Sequence, residues 1–324
     1  MKILLVNKYL YRKGGAETYF IKLGEYLKSL GNEVEYFGMA DERNCVGNRV
    51  EAYTENIDFH KKSLKHITYP FKIIYSVNAR KQIRKVLSDF KPDVVHLNNF
   101  NYQLTPSIIY EIKKHNIPIV YTAHDVQLVC PNHKLKNDYT DGLCRKCDGG
   151  KYFECVKNNC VHSSKIRSIL GAVEAWYYKL RHTYKMIDLT VCPSEFMEKE
   201  ISRNDDINGR TVTMYNFIDE IKPLGAECEN YVLYFGRYSE EKGISNLVKA
   251  AKKLSNIPFV FAGKGELENE VNSADNIKNV GFKTGDELRN IIEKALFTVL
   301  PAEWSENCPF SVMESQSLMT PVLG

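Results

Sequence analysis

Short apolar runs alternate with helix-patterned segments from one end of this chain to the other. Residues 2–7, 33–37, 93–98, 117–122 and 189–192 are short runs of four to six residues rich in apolar side chains, and those at 2–7, 93–98 and 189–192 are followed by segments of helical period. Runs of that length suit buried strands, and the segments between them are long enough for crossover helices. A strand–helix–strand alternation calls for a parallel, doubly wound α/β sheet with right-handed crossovers. In such sheets ligands bind beyond the carboxyl ends of the strands. The pattern restarts at Tyr231–Phe235 and continues through Phe259–Ala262, Val280–Phe282 and Leu296–Leu300. Between the two series lies the charged stretch Glu220 to Asn230, which reads as a linker. With 324 residues the chain can build two cores, so two domains are expected, 1–221 and 222–324.

Composition fits this reading, with 44% apolar and 26% charged residues and a net charge of only +4. No stretch approaches the roughly 20 apolar residues of a membrane span, and the N-terminus is interrupted by charge too soon for a signal peptide. A cytoplasmic protein is expected. Between Phe59 and Ser88 lie Lys61, Lys62, Lys65, Lys72, Arg80, Lys81, Arg84 and Lys85, with aromatic residues between them and no acid. Such a stretch is either a solvated helix face or a contact with an anionic membrane surface, which would make the protein peripheral on the inner face of the membrane. No nucleic-acid motif accompanies the charge, so no nucleic-acid partner is expected.

The candidate chemistry gathers where strands end. The last strand of the second series runs into a polar turn with Glu303, Ser305, Glu306 and Asn307, and a helix is expected near Pro309. Glu306 and Glu314 flank that helix start, where backbone N–H groups and the helix dipole favour a phosphate and carboxylates can accept sugar hydroxyls. An ordinary turn with two solvated glutamates has the same spacing. Near the N-terminus Gly14-Gly15 precedes a helix and permits close approach of a phosphate, although no G-x-G-x-x-G is present. His124-Asp125 closes the strand over Ile117–Thr122, either as a ligand-facing pair or as a capping Asp beside a satisfied His.

One region lacks periodicity. Cys130, Cys144, Cys147, Cys155 and Cys160 fall within about thirty residues, in an insert of about 128–163. Cys144-x-x-Cys147 has the spacing of a zinc knuckle, and Cys155 and Cys160 could complete a structural set of four. Free thiols and redox pairing remain open, and disulfides suit a cytosolic chain poorly.

Taken in order, Lys13-Gly-Gly-Ala-Glu17, Gly236-Arg237…Glu241-Lys242-Gly243 and Glu306…Glu314 followed by Pro321-Val-Leu-Gly324 resemble the signatures of family 4 glycosyltransferases. The resemblance covers essentially the whole chain. It implies the GT-B fold, two Rossmann-like doubly wound domains facing a cleft, with the second domain stopping short of the family's usual end. It implies transfer of a sugar from a nucleotide-diphosphate sugar to a glycan or lipid-linked acceptor, with retained anomeric configuration, in polysaccharide synthesis. No cofactor is required for catalysis in that family. Carried onto this sequence, Arg237 and Lys242 would hold the diphosphate with the amides of Gly15 and Asn307, and Phe310 would join the donor site. Glu314 would take the ribose, Glu306 the sugar hydroxyls, and His124 the reacting sugar. Cys308-Pro309 departs from the family's usual small or glycine-containing turn. A nucleotide-sugar epimerase of the same architecture, or a non-enzymatic Cys-rich zinc-binding module, would share parts of this pattern.

Overall fold

A computed structural model describes residues 1–56, 69–137 and 142–324, with the side chains of 69–71 left aside. Lys61, Lys62 and Lys65 of the basic stretch therefore lie outside the described residues. The chain divides into two compact units, Met1–Tyr215 and Asn216–Gly324.

In the first unit the order is β1 (Lys2–Val6), α1 (Gly15–Ser29), β2 (Glu33–Phe37), α2 (Tyr69–Ile74), α3 (Val77–Phe90), β3 (Val94–Leu97), α4 (Ser107–Lys114), β4 (Ile119–Thr122), α5 (Phe153–Lys157), α6 (Lys165–Leu180), β5 (Leu189–Cys192), α7 (Glu195–Ile201) and β6 (Thr211–Thr213). The six strands form one sheet in the order β2-β1-β3-β4-β5-β6, with every pairing parallel. Both faces are covered, as an all-parallel sheet requires. On one side Leu4, Val6, Val95, Leu97, Ile119 and Tyr121 pack with α3 and α4; on the other Ile3, Leu5, Val34 and Tyr36 meet α1.

Local chemistry sets the helix ends. Ser76 caps α3 by accepting from the amide of Ala79, and Ser194 caps α7 by accepting from that of Met197. α6 ends at Leu180; beyond it His182 adopts a left-handed conformation (φ 47°) and a short 3-10 turn takes over. In the described part of the basic stretch, α3 buries Ala79, Ile83, Val86, Leu87 and Phe90 in the core. Arg80 and Arg84 both bond Glu111 of α4, whose side chain is almost wholly buried, and Lys81 and Lys85 face solvent. No helix among the described residues is long and apolar enough to cross a membrane.

The second unit runs β7 (Val232–Arg237), α8 (Ile244–Lys253), β8 (Phe259–Lys264), α9 (Glu268–Val271), β9 (Ile277–Asn279), α10 (Gly285–Lys294), β10 (Phe297–Val299), α11 (Phe310–Ser317) and β11 (Val322–Leu323). Its sheet is parallel throughout, in the order β11-β10-β7-β8-β9. The strand expected at Val280–Phe282 lies three residues earlier. Asn279 Oδ1 accepts from the Gly281 amide and Gly281 turns through φ 72°, so the chain leaves the ladder there. Each unit is thus a doubly wound α/β domain with its own core.

Candidate functional site

In the first unit, polar side chains collect where β1, β3 and β4 end. Asn7 and Lys8 follow β1, Asn98 and Asn99 follow β3, and His124 and Asp125 come shortly after β4. Main chain ties the first two ends together, the Lys8 amide donating to Asn99 O (2.7 Å) and the Asn99 amide to Asn7 Oδ1 (2.9 Å). His124 is half-buried. Its Nε2 lies 2.8 Å from Asn98 Oδ1, and the Tyr19 ring from α1 meets its ring edge-on at 5.2 Å. Burial holds the imidazole down at about 4, so it is neutral at neutral pH. Asp125 accepts from the Gln127 amide and lies 3.3 Å from His133 Nδ1. His133 stacks on Tyr102, and Lys8 Nζ lies over both the Tyr9 and Tyr102 rings while donating to Asn101 Oδ1 (2.9 Å). Burial brings Lys8 down to about 8. Gly15 opens α1, behind the extended Gly14.

In the second unit the glutamate turn and the Gly-Arg…Glu-Lys-Gly segment meet. Lys242, in a 3-10 turn after β7, pairs through Nζ with Glu306, both side chains being largely shielded from solvent. Trp304 completes the trio. Its Nε1 donates to Glu306 Oε1 (2.7 Å), and its ring lies 5.3 Å from Lys242 Nζ, within cation–π range. Arg237 ends β7 with an exposed side chain, 3.7 Å from Glu241 and outside the trio. Two features hold the turns together. Gly243 adopts φ 72°, and a Cβ there would stand 1.8 Å from Pro301 O. The Glu303 amide bonds Glu241 O (3.1 Å). Cys308 takes a left-handed φ of 55° just before Pro309, and Asn216 Nδ2 donates to its carbonyl (2.9 Å). Pro309 is the N-cap of α11, one residue earlier than a first-turn position, so the helix begins at Phe310 with Glu314 in its second turn. Asn307 lies on the turn itself.

Together these residues can hold an anion against Lys242, with the positive end of the α11 dipole close by in sequence, and can offer Glu306 to hydroxyls. Trp304 escaped the sequence reading. Its only signal was an indole in an otherwise polar turn.

The five insert cysteines line one hollow, together with Arg145 and Asp148. All five are unbridged, and burial among neighbouring thiols pushes Cys147 up to about 12. The donor chemistry suits zinc, but among the described residues no three His, Cys, Asp or Glu side chains are grouped so as to hold a metal ion. Salt bridges and a hydrogen bond tie the insert to the domain. Arg145, inside the Cys-x-x-Cys turn, bonds the fully buried Glu200 of α7; Arg203 pairs with Asp148; and Trp176 of α6 donates to Gly150 O (2.9 Å).

Comparison with known proteins places this geometry. The profile of Glycosyltransferase Family 4 fits residues 13–221, and that of Glycosyl transferases group 1 fits residues 217–324. An uncharacterized 42.6 kDa protein in the cps region of Klebsiella pneumoniae is 26% identical over 94% of this chain and 80% of its own length. Among solved structures, sucrose-phosphate synthase from Thermosynechococcus elongatus superposes with a TM-score of 0.67 at 15% identity. Anabaena HepE in complex with UDP superposes with a TM-score of 0.63, also at 15% identity. Each superposition covers 99% of this chain and 80% of the other, and both share its fold. With profiles matched across both units and two parallel doubly wound sheets beneath them, the chain belongs to glycosyltransferase family 4 and has the GT-B fold.

Proposed function

We propose that this glycosyltransferase moves a sugar, with retention of configuration and without a catalytic metal, from a nucleotide-diphosphate sugar to a glycan or lipid-linked acceptor in polysaccharide synthesis. The observation that carries the donor half is the Lys242–Glu306–Trp304 trio beside the start of α11. A glycosyl donor leaves as a nucleoside diphosphate whose charge grows in the transition state, and a shielded ammonium stabilises it more than a solvated one would. Lys242 and Arg237 supply cations, with the amides of Gly15 and Asn307 as neutral donors. Glu314 accepts from the ribose and Glu306 from the sugar, with Phe310 beside them. His124, neutral as found, accepts a hydroxyl of the reacting sugar. The UDP complex of Anabaena HepE supports the choice of nucleotide, and the cps-region relative supports the polysaccharide setting.

A calorimetric titration with UDP and UDP-glucose tests the reading. Lys242→Ala should weaken UDP binding by about 1.5–3 kcal/mol, roughly ten- to a hundred-fold, with its fold retained. Unchanged affinity and turnover in that variant would overturn the assignment. Release of an isomerised sugar from donor incubated without acceptor would favour an epimerase instead.

A further inference from the structure

We infer that Asn98 is a positioning residue that fixes the tautomer and orientation of His124, so that the imidazole meets its ligand as a hydrogen-bond acceptor through Nδ1. The inference rests on the reading of His124 as a sugar contact, and deepens it.

Asn98 follows β3 and is fully buried, its amide N–H held by Val6 O (2.8 Å). Its Oδ1 lies 2.8 Å from His124 Nε2. With the Asn98 carboxamide oxygen turned toward the ring it can only accept, so in this orientation Nε2 carries the proton and Nδ1 the lone pair. Nδ1 has no hydrogen-bond partner among the described residues, on a side chain that is only half-buried. The other end of the Asn98 amide is costly. Its Nδ2 is buried without a partner among the described residues. Leaving a polar group buried and unpaired disfavours folding, so this asparagine is a poor choice for stability alone. What it provides is a fixed acceptor for one ring nitrogen.

The groups around the ring agree with a neutral imidazole. From α1 comes the edge of Tyr19. From β3 comes His96, itself held down at about 4 by burial and bonded through Nε2 to Thr122 Oγ1 (2.8 Å). The one carboxylate that favours the protonated ring is Asp125, which is engaged by His133 and the Gln127 amide. A second carboxylate placed at residue 98 would change the balance, because an anion in hydrogen-bond contact stabilises imidazolium.

Long-range ¹H–¹⁵N NMR of the histidine rings in the intact protein tests this, with His124→Gln identifying the signal. The wild type should show a single Nε2–H tautomer at His124, unchanged between pH 8 and pH 5.5. Asn98→Asp should make the same ring titrate inside that range, a rise of at least about 1.5 pH units from its value of about 4. A wild-type ring with the proton on Nδ1, a mixture of tautomers, or an Asn98→Asp ring that stays neutral throughout would each overturn the inference. The wild-type spectrum decides even if the variant folds poorly. Full transfer activity in His124→Gln would instead remove the sugar contact while leaving the tautomer result standing, so the two failures are distinguishable.

Discussion

Burial keeps both His96 and His124 neutral, each held down at about 4 against an ordinary value near 6.5. The sign of the linkage follows. The unfolded chain takes up these protons first, so their contribution is complete above pH 6.5 and is lost as pH falls toward 4. Glu174, pushed up to about 7 by burial, acts oppositely over part of that range, so total stability is the wrong readout and the slope is the right one. His96→Gln removes one proton from the balance while keeping a side-chain amide within reach of Thr122. The fall in unfolding free energy between pH 6.5 and 4.5 should be shallower in that variant by about 1 kcal/mol per pH unit. Urea melts at three pH values measure it, and parallel wild-type and variant curves would refute it. Neither the environment of His96 nor Trp304 could be foreseen from sequence. A histidine on a strand gives no sign of its depth, and an indole gives no sign of the lysine it will cover. Lys242, Glu306 and His124 were legible because they stand at strand ends, where the α/β pattern alone directs attention.

At the scale of elements, close packing of two turns depends on a missing methyl. Gly243 and Gly281 share a φ of 72°, but a Cβ at Gly243 would strike Pro301 O at 1.8 Å whereas one at Gly281 meets nothing within 4 Å. Alanine at either position incurs backbone strain of about 1 kcal/mol. Only Gly243→Ala must also push β7's turn away from the loop that carries Glu306. It should therefore cost at least about 1 kcal/mol more than Gly281→Ala in denaturant unfolding, and it alone should weaken UDP binding. Equal costs would show that the approach of the two turns is not constrained. Most element boundaries were readable to within one or two residues, since period and capping residues such as Ser76 and Ser194 act locally. The misplaced strand at Val280–Phe282 traces to backbone rotation at a single residue, Gly281, which apolar periodicity does not report. The cysteine insert was visible as a region but not as a geometry, because Arg145–Glu200 and Asp148–Arg203 link it to a helix some fifty residues further on.

For the whole molecule, two separate cores mean two sources of cooperativity. Buried clusters around β1–β5 belong to the first unit and those around β7–β10 to the second. On the proposed reading UDP, which lacks a sugar, draws most of its contacts from residues of the second unit. Differential scanning calorimetry should then show UDP raising the transition of the second unit by several degrees, while that of the first moves little. Equal displacement of both, assigned by single-tryptophan variants at Trp176 and Trp304, would contradict that division of labour. The Lys242–Glu306 pair carries a further consequence. A ligand phosphate arriving at Lys242 has a competitor already in place, so the affinity it gains is the difference between two ion pairs and not the worth of one. On the proposed reading, displacing Glu306 releases a carboxylate for the hydroxyls of the attached sugar. The nucleotide half of a donor would then prepare the turn for its sugar half, and each half would be held more tightly in the presence of the other than alone.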